Sequence, residues 1–309
     1  MTDAAPQAAK QNWRDWLNDQ TPTTRAQARL GEVYRAALIF LRNPLAAIGL
    51  AIVIALILIA ATAPWIAPHS PFDQDLTRRL LPPGGGFLLG TDDLGRDILS
   101  RILHGARITL YIVFVVAITA GPIGLLVGAI AGYFGGLAEA ILMRVTDIFL
   151  AFPKLILALA FVAALGAGLN SAIIAIAITS WPPIARIARA EALTIRNAEH
   201  VAATRLLGAS HGRIIAFHVM PLCAPSVIVR ITLDMAGIIM IAAGLGFLGL
   251  GAQPPAPEWG AMVSGGRAFL IDQWWIATLP GAAIFIVSLG FNLLGDGLRD
   301  ALDPKRAAS

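Results

Sequence analysis

The chain has 309 residues, of which 57% are hydrophobic and only 14% charged, a balance that argues against two water-soluble domains and for lipid as the surrounding solvent. A formal net charge of +4 would suggest nucleic acid in a soluble protein, but here the charges fall between apolar stretches and no nucleic-acid partner is expected. A single cysteine, Cys223, excludes an internal disulfide, and its place at the edge of an apolar stretch reads as packing.

Residues 1–39 read as a cytoplasmic tail, polar and Ala-rich at first, with Lys10, Arg14, Arg25 and Arg29 beside Asp3, Asp15 and Asp19. The apolar core and small-residue cleavage site of a signal peptide are missing, so the first apolar stretch is expected to stay as an anchor. Trp13 and Trp16 fit either a segment at the membrane surface or a loose arm. The first span is predicted over Pro44–Ile66, within 40–68: residues 46–63 are uncharged, and Pro64 and Pro68 mark its far end. Residues 69–107, rich in Asp, Arg, Pro and Gly, read as an extracytoplasmic segment of turns and a short surface helix.

Five more spans are expected in a core covering 108–297, since about 20 apolar residues cross a hydrocarbon layer. They are 108–132, 148–165, 172–187 with a kink or thinning at Pro182 and Pro183, 222–250, and 275–294. The fifth is long enough to tilt or to be partly re-entrant. The largest basic loop, 186–213, separates the fourth and fifth, and residues 298–309 read as a cytoplasmic tail. The fold class is therefore all-α, a polytopic membrane protein of about six transmembrane helices. Arg35 and Arg42 before the first span, Arg186, Arg189, Arg196, Arg205 and Arg213 after the fourth, and Arg299, Lys305 and Arg306 after the sixth all fall on one side. Both termini are thus expected in the cytoplasm. Arg78, Arg79, Arg96, Arg101 and Arg107 oppose that orientation, weakened by acidic neighbours and by the length of their segment.

Gly124, Gly128 and Gly132 share nearly one helical face and predict close helix packing. Gly244, Gly246 and Gly249 match G-x-G-x-x-G, but they follow an apolar helix with no βαβ unit, so no dinucleotide site is expected. The lysines, Lys10, Lys154 and Lys305, do not follow glycine, which excludes a Walker A loop. His69, His104, His200, His211 and His218 form no compact metal signature, and His211 and His218 read as surface residues on one helical face. Arg230 and Asp234, four apart in the fifth span, can pair along one helical face and are the candidate pathway residues. Either they neutralise each other near the cytoplasmic end, or Asp234 faces the channel and attracts a substrate ammonium.

In the stretch 188–217, Asn197 is expected to cap a short helix, Gly208 to end it in a left-handed turn, and Ser210 to cap the next. Ala198, Ala202, Ala203 and Leu206 then make a small apolar surface suited to a groove of another protein. This stretch, together with Trp181-Pro-Pro183 before it and His218-Val-Met-Pro221 after it, resembles the EAA motif of binding-protein-dependent ABC importer permeases. The chain from 40 to 305 resembles the dipeptide/oligopeptide/nickel permease family. The matching motifs are Leu41-Arg-Asn-Pro44, Gly90-Thr-Asp-Asp-Leu-Gly-Arg-Asp97, Gly132-Tyr-Phe-Gly-Gly136, Met143-Arg-Val-Thr-Asp147, Phe247-Leu-Gly-Leu-Gly251, Trp259-Gly-Ala-Met262 and the run from Asn292 to Pro304.

The resemblance implies a MetI-like permease fold in a bacterial inner membrane and a C-type permease subunit that is not itself an enzyme. It implies ATPase coupling through Glu191, Asn197, His200, Val201, Ala202, Ala203, Thr204, Arg205, Leu207, Gly208, Ala209 and Ser210. Aligned through Gly208, the glutamate usual in the family falls on Ala202, followed by Ala203 and Thr204, which removes a charged contact there. The implied partners are a second permease subunit, two ABC ATPase subunits or domains, an extracytoplasmic solute-binding protein and the lipid bilayer. No cofactor is expected on this chain, with ATP and Mg on the partner ATPases.

The expected function is half of a translocation pathway for di- and oligopeptides. The alternatives are a permease for nickel or another non-peptide solute, and a secondary transporter, which would show paired broken helices in related halves. An intramembrane enzyme would need clustered polar groups, and only Arg230 and Asp234 come near. Asp272-Gln-Trp-Trp275, with Asp234, is similar to the branch importing D-alanyl-D-alanine-type dipeptides, while Trp274 and Trp275 equally fit an interfacial aromatic belt.

Overall fold

A computed structural model describes residues 13–18 and 24–302. The readings above that rest on Asp3, Lys10, Asp19, Lys305 and Arg306 lie outside those residues. The described residues are built from helices, with no strand among them.

Helix α1 (Trp13–Asn18) packs on α2 (Arg25–Arg42). Asn43 then serves two helices: its N–H bonds back to Phe40 O, and its side-chain oxygen accepts the N–H groups of Leu45 and Ala46 to open α3 (Pro44–Ile66). Pro44 fits because the first position of a helix has no donor to lose. Helix α3 has the bounds predicted for the first span. Its buried positions, Ala46, Gly49, Val53, Leu56, Ala60 and Ala63, recur every three or four residues, so one face packs inward and the rest is left for lipid.

Helix α4 (Ile98–Phe134) starts at 98 rather than 108, because Asp97 caps it by accepting the Ser100 N–H at 2.9 Å. Arg101 and Arg107 therefore stand in helix, not loop. The predicted third span, 148–165, takes in only the last residues of α5 (Gly136–Leu150) before α6 (Lys154–Leu165); the two helices are bent by 90° at a break that ends in Pro153. Among the described residues, five helices are long and apolar enough to cross a membrane, and the bent pair makes a sixth crossing when counted as one.

Helix α7 (Leu169–Ile195) runs unbroken through Pro182 and Pro183. The first part of the predicted basic loop is thus helix, up to Ile195. Next come α8 (Glu199–Leu206), α9 (His211–Ile214), a π-helical turn (Ile215–Val219) and α10 (Met220–Phe247). The last three form one 37-residue element, His211–Phe247. The short α11 (Trp259–Gly266) precedes α12 (Trp275–Leu302), which continues past the predicted end at 294.

The main core lies among α3, α4, α7, α10 and α12. Its tightest seam is α4 on α7. A β-carbon added at Gly124 would stand 2.7 Å from Ile184 Cβ, at Gly128 2.6 Å from Ala188 Cβ, and at Gly132 2.6 Å from the Arg189 carbonyl oxygen. All three are below contact distance, so the packing role read from their spacing holds. Gly244 and Gly246 end α10, where Gly246 abuts the Glu258 carboxylate, and Gly249 takes a left-handed turn (φ 75°). That arrangement is a helix end closed by an acid, not a phosphate cradle. A second core cluster gathers Ala129, Tyr133, Ala192, Ile214, Val219 and Cys223 around Val201, at the end of the bundle that carries α8.

Candidate functional site

Helix α8 hangs between α7 and α9. Its N-cap is Ala198, in extended backbone and with no side-chain bond, while Asn197 stands exposed one residue earlier. The predicted cap at Asn197 is therefore displaced: the chain turns one residue later than the side-chain preference suggests. Gly208 ends the helix as predicted, at φ 81° with its N–H on Arg205 O at 3.0 Å. Ser210 opens α9 as predicted, its hydroxyl accepting the Arg213 N–H at 3.4 Å.

The two faces of α8 differ. Val201 is fully buried in the second core cluster, and burying a valine contributes about 1.5–3 kcal/mol. Ala202 and Ala203 face outward, and Leu206 and Leu207 are 89% and 87% exposed. His200, Arg205 and Ser210 are exposed, Thr204 and Ala209 half-buried. Two leucines left almost bare, one on the last residue of an eight-residue helix and one at its C-cap, make an apolar knob that water disfavours.

Polar contacts brace this end of the bundle. The Tyr133 hydroxyl lies 2.8 Å from His211 Nδ1 and accepts from Arg205 Nη2 at 3.3 Å, with the Arg205 guanidinium 5.5 Å from the ring centre. Arg196 Nη1 donates to Gly132 O at 3.1 Å. Arg189 pairs with Glu139 through Nε at 2.7 Å, and Arg186 with Asp147 at 2.6 Å, fastening α7 to α5. Glu191 accepts from the Ser226 hydroxyl at 2.7 Å, tying α7 to α10. The Gly132–Gly136 and Met143–Asp147 motifs and the assignments of Glu191 and Arg205 name members of this brace but not their pairing, because the partners stand far apart in sequence.

Arg230 and Asp234 pair as the spacing predicts, at 2.9 and 3.1 Å, so one guanidinium occupies both carboxylate oxygens. They lie beside a groove between α10 and α12. On α10 its lining returns every three or four residues, through Ser226, Arg230, Leu233, Gly237, Met240 and Gly244. On α12, Phe285, Ser288 and Asn292 line one part of it, and Arg299 and Leu302 follow seven residues further on. Two separate cavities lie along it: a largely apolar one of about 720 Å³ walled by α10, α11 and α12, and, at the α8 end, a half-polar one of about 500 Å³ walled by α7, α10 and α12.

At the opposite end the loops are locked by buried charge. The Asp92 carboxylate accepts from the Leu94 and Arg96 N–H groups at 3.0 Å and from Arg96 Nε at 2.7 Å. Arg101, also buried, donates to Pro71 O at 2.9 Å. Glu258 caps α11 by accepting the N–H groups of Gly260 and Ala261; burial pushes its carboxyl up, and those two bonds hold it down. Trp259 Nε1 donates to Ile102 O at 3.0 Å. Trp274 is exposed, whereas Trp275 is buried, so only the former is placed as a belt residue would be.

A bundle of helices long and apolar enough to cross a membrane, carrying a short helix with bare apolar side chains at one end, is the architecture of a multi-pass membrane protein. The chain belongs to the family of binding-protein-dependent transport system inner membrane components, whose model matches residues 124–308. Residues 34–83 match the N-terminal TM domain of oligopeptide transport permease C. The Escherichia coli K12 protein named "Probable D,D-dipeptide transport system permease protein DdpC" is 46% identical over 85% of this chain and 88% of its own length. The Pseudomonas aeruginosa di/tripeptide permease protein DppC is 46% identical over 86% of this chain and 90% of its own. An inward-facing structure of the MetNI methionine ABC transporter aligns at TM-score 0.54 and 22% identity, covering 66% of this chain and 97% of its matched chain, which establishes the MetI-like fold. The protein is thus an inner-membrane permease subunit of an ABC importer, a class that works with ATPase and solute-binding partners.

Proposed function

We propose that this chain is the C-type permease of a peptide importer and forms half of the route for di- and oligopeptides along the α10–α12 groove. Both termini and α8 then lie in the cytoplasm, and residues 69–97 face the solute-binding protein. A second permease subunit closes the groove, and two ATPase subunits or domains carry ATP and Mg. The chain itself binds no cofactor and catalyses no hydrolysis. Coupling follows from two-state linkage: ATP favours one arrangement of the helices, and the loaded binding protein favours the same one. The lever is α8 with its flanks, from Glu191 through Asn197 and His200 to Ser210.

The observation that carries this reading is the two-faced α8, anchored by Val201 and bare at Ala203, Leu206 and Leu207. The 46% identity to permeases named for dipeptides supplies the substrate class.

Cys223, the chain's one cysteine, is buried, so a thiol introduced by Ala203→Cys is selectively addressable. The importer, reconstituted in proteoliposomes, should crosslink from that position to an ATPase subunit and take up a dipeptide only with ATP. Failure to crosslink removes the coupling assignment. Uptake of nickel but not of peptide would move the substrate to the metal branch, and uptake driven by an ion gradient without ATP would make the protein a secondary transporter.

A further inference from the structure

The α8 end of the α10–α12 groove differs chemically from the rest. Glu191 enters it from α7, Ser226 and Arg230 from α10, and Arg299 from α12, around the apolar side chains of Val229 and Leu233. Arg230 is committed to Asp234. Arg299 is exposed and forms no ion pair among the described residues, its helix neighbour Asp300 being engaged by Asn43. Glu191 spends one oxygen, Oε1, on Ser226; its Oε2 accepts no hydrogen bond among the described residues. A free carboxylate oxygen and a free guanidinium therefore stand on different walls of one cavity of about 500 Å³, with apolar surface between them.

Opposite charges across an apolar floor suit a zwitterion rather than a simple anion or cation, because each end of the ligand meets its complement and neither protein charge is left alone. An extended dipeptide spans roughly 7 Å, small enough for the cavity. We propose that this end of the groove binds the zwitterion of a short peptide. The peptide ammonium lies against Glu191, its carboxylate against Arg299, and its side chains over Val229 and Leu233. The site rests on the peptide-importer reading and deepens it. Because Glu191 precedes α8 and Ser226 follows it, a ligand here also touches both supports of the lever.

The test uses the assembled importer in detergent, without its binding protein, and a dipeptide carrying a diazirine side chain. Photolabel is expected on Val229, Leu233 or Leu302, reduced at least tenfold by excess unmodified dipeptide and far less by its N-acetylated or C-amidated form. Glu191→Gln should erase the discrimination against the acetylated peptide, and Arg299→Gln that against the amide. Label elsewhere, equal competition by capped and free peptides, or competition by inorganic phosphate or anionic lipid alone would overturn the proposal. ATP-driven uptake of radiolabelled dipeptide by the unaltered importer is measured in parallel. No uptake overturns the functional reading; uptake without label at these positions overturns the site alone.

Discussion

Gly128→Ala tests the α4–α7 seam. The new methyl carbon would stand 2.6 Å from Ala188 Cβ and 2.8 Å from Arg189 N, against a comfortable separation of about 3.5–4.0 Å. The helices must part by roughly 1 Å to admit it, and a gap of that size forfeits a quarter to a half of each dispersion contact along the seam. Overpacking of this kind costs about 1–3 kcal/mol, a roughly 5–30-fold shift in the folded population over most of that range. Gly237→Ala is the matched control, since nothing lies within 4 Å of its added methyl and alanine is the better helix former. Thermal unfolding of the purified permease in detergent should show Gly128→Ala melting several degrees low and Gly237→Ala unchanged or higher. Equal losses in both variants, or none at Gly128, would refute the claim that the glycines are there for close approach.

Other perturbations separate anchoring from docking. Val201→Ala removes buried methyl surface and should cost about 2 kcal/mol of stability, read by the same melt, whereas the exposed pair Leu206→Ala with Leu207→Ala should leave melting within about 0.5 kcal/mol while weakening ATPase copurification several-fold. Gly208→Pro demands φ near −65° where the chain holds 81°, so ATP-driven uptake should vanish while membrane insertion, scored by fractionation, persists. Glu139→Gln breaks the half-buried contact with Arg189 and should lower stability by no more than about 1 kcal/mol, with a larger value pointing to a wider network around α5.

The first span was legible to the residue because an uncharged run follows Asn43-Pro44, a cap and a first helical position in the right order. The α4 seam and the turn at Gly208 were legible for the same kind of reason: each needs glycine for a local geometric cause. The helical part of 186–195 was harder to see. Its arginines suggested loop, yet Ala185, Ala188 and Ala192 lie on one buried face against Gly128 and Gly132 while Arg186 and Arg189 reach to α5. A span leaving the membrane as a helix puts charge where composition reads loop. The bent third span was hidden because Glu139, Arg144 and Asp147 made most of α5 read as a segment before the span, and only Pro153 marks the break. Asp234 was legible as half of a pair, but not the consequence that Arg230 occupies both its oxygens, which shifts attention to Glu191 and Arg299.

The two ends of the bundle handle polar groups in opposite ways, and that contrast bears on how force can pass between them. Opposite α8, Asp92 is buried with Arg96 and Arg101, and removing one member of such a set leaves an uncompensated charge at a cost of about 3–5 kcal/mol. That end therefore resists rearrangement and can present a fixed surface. Around α8 the pairs are exposed or half-buried, Arg186 with Asp147 and Arg189 with Glu139, and are worth little each. The path from α8 into α10 also runs through the π-helical turn Ile215–Val219, a geometry that departs from the regular ladder and is common where helices serve function. A lever needs a stiff arm and a yielding pivot. In the coupling proposed for α8, the glycine-sealed α4–α7 seam is the stiff arm and the π-helical approach to α10 the pivot.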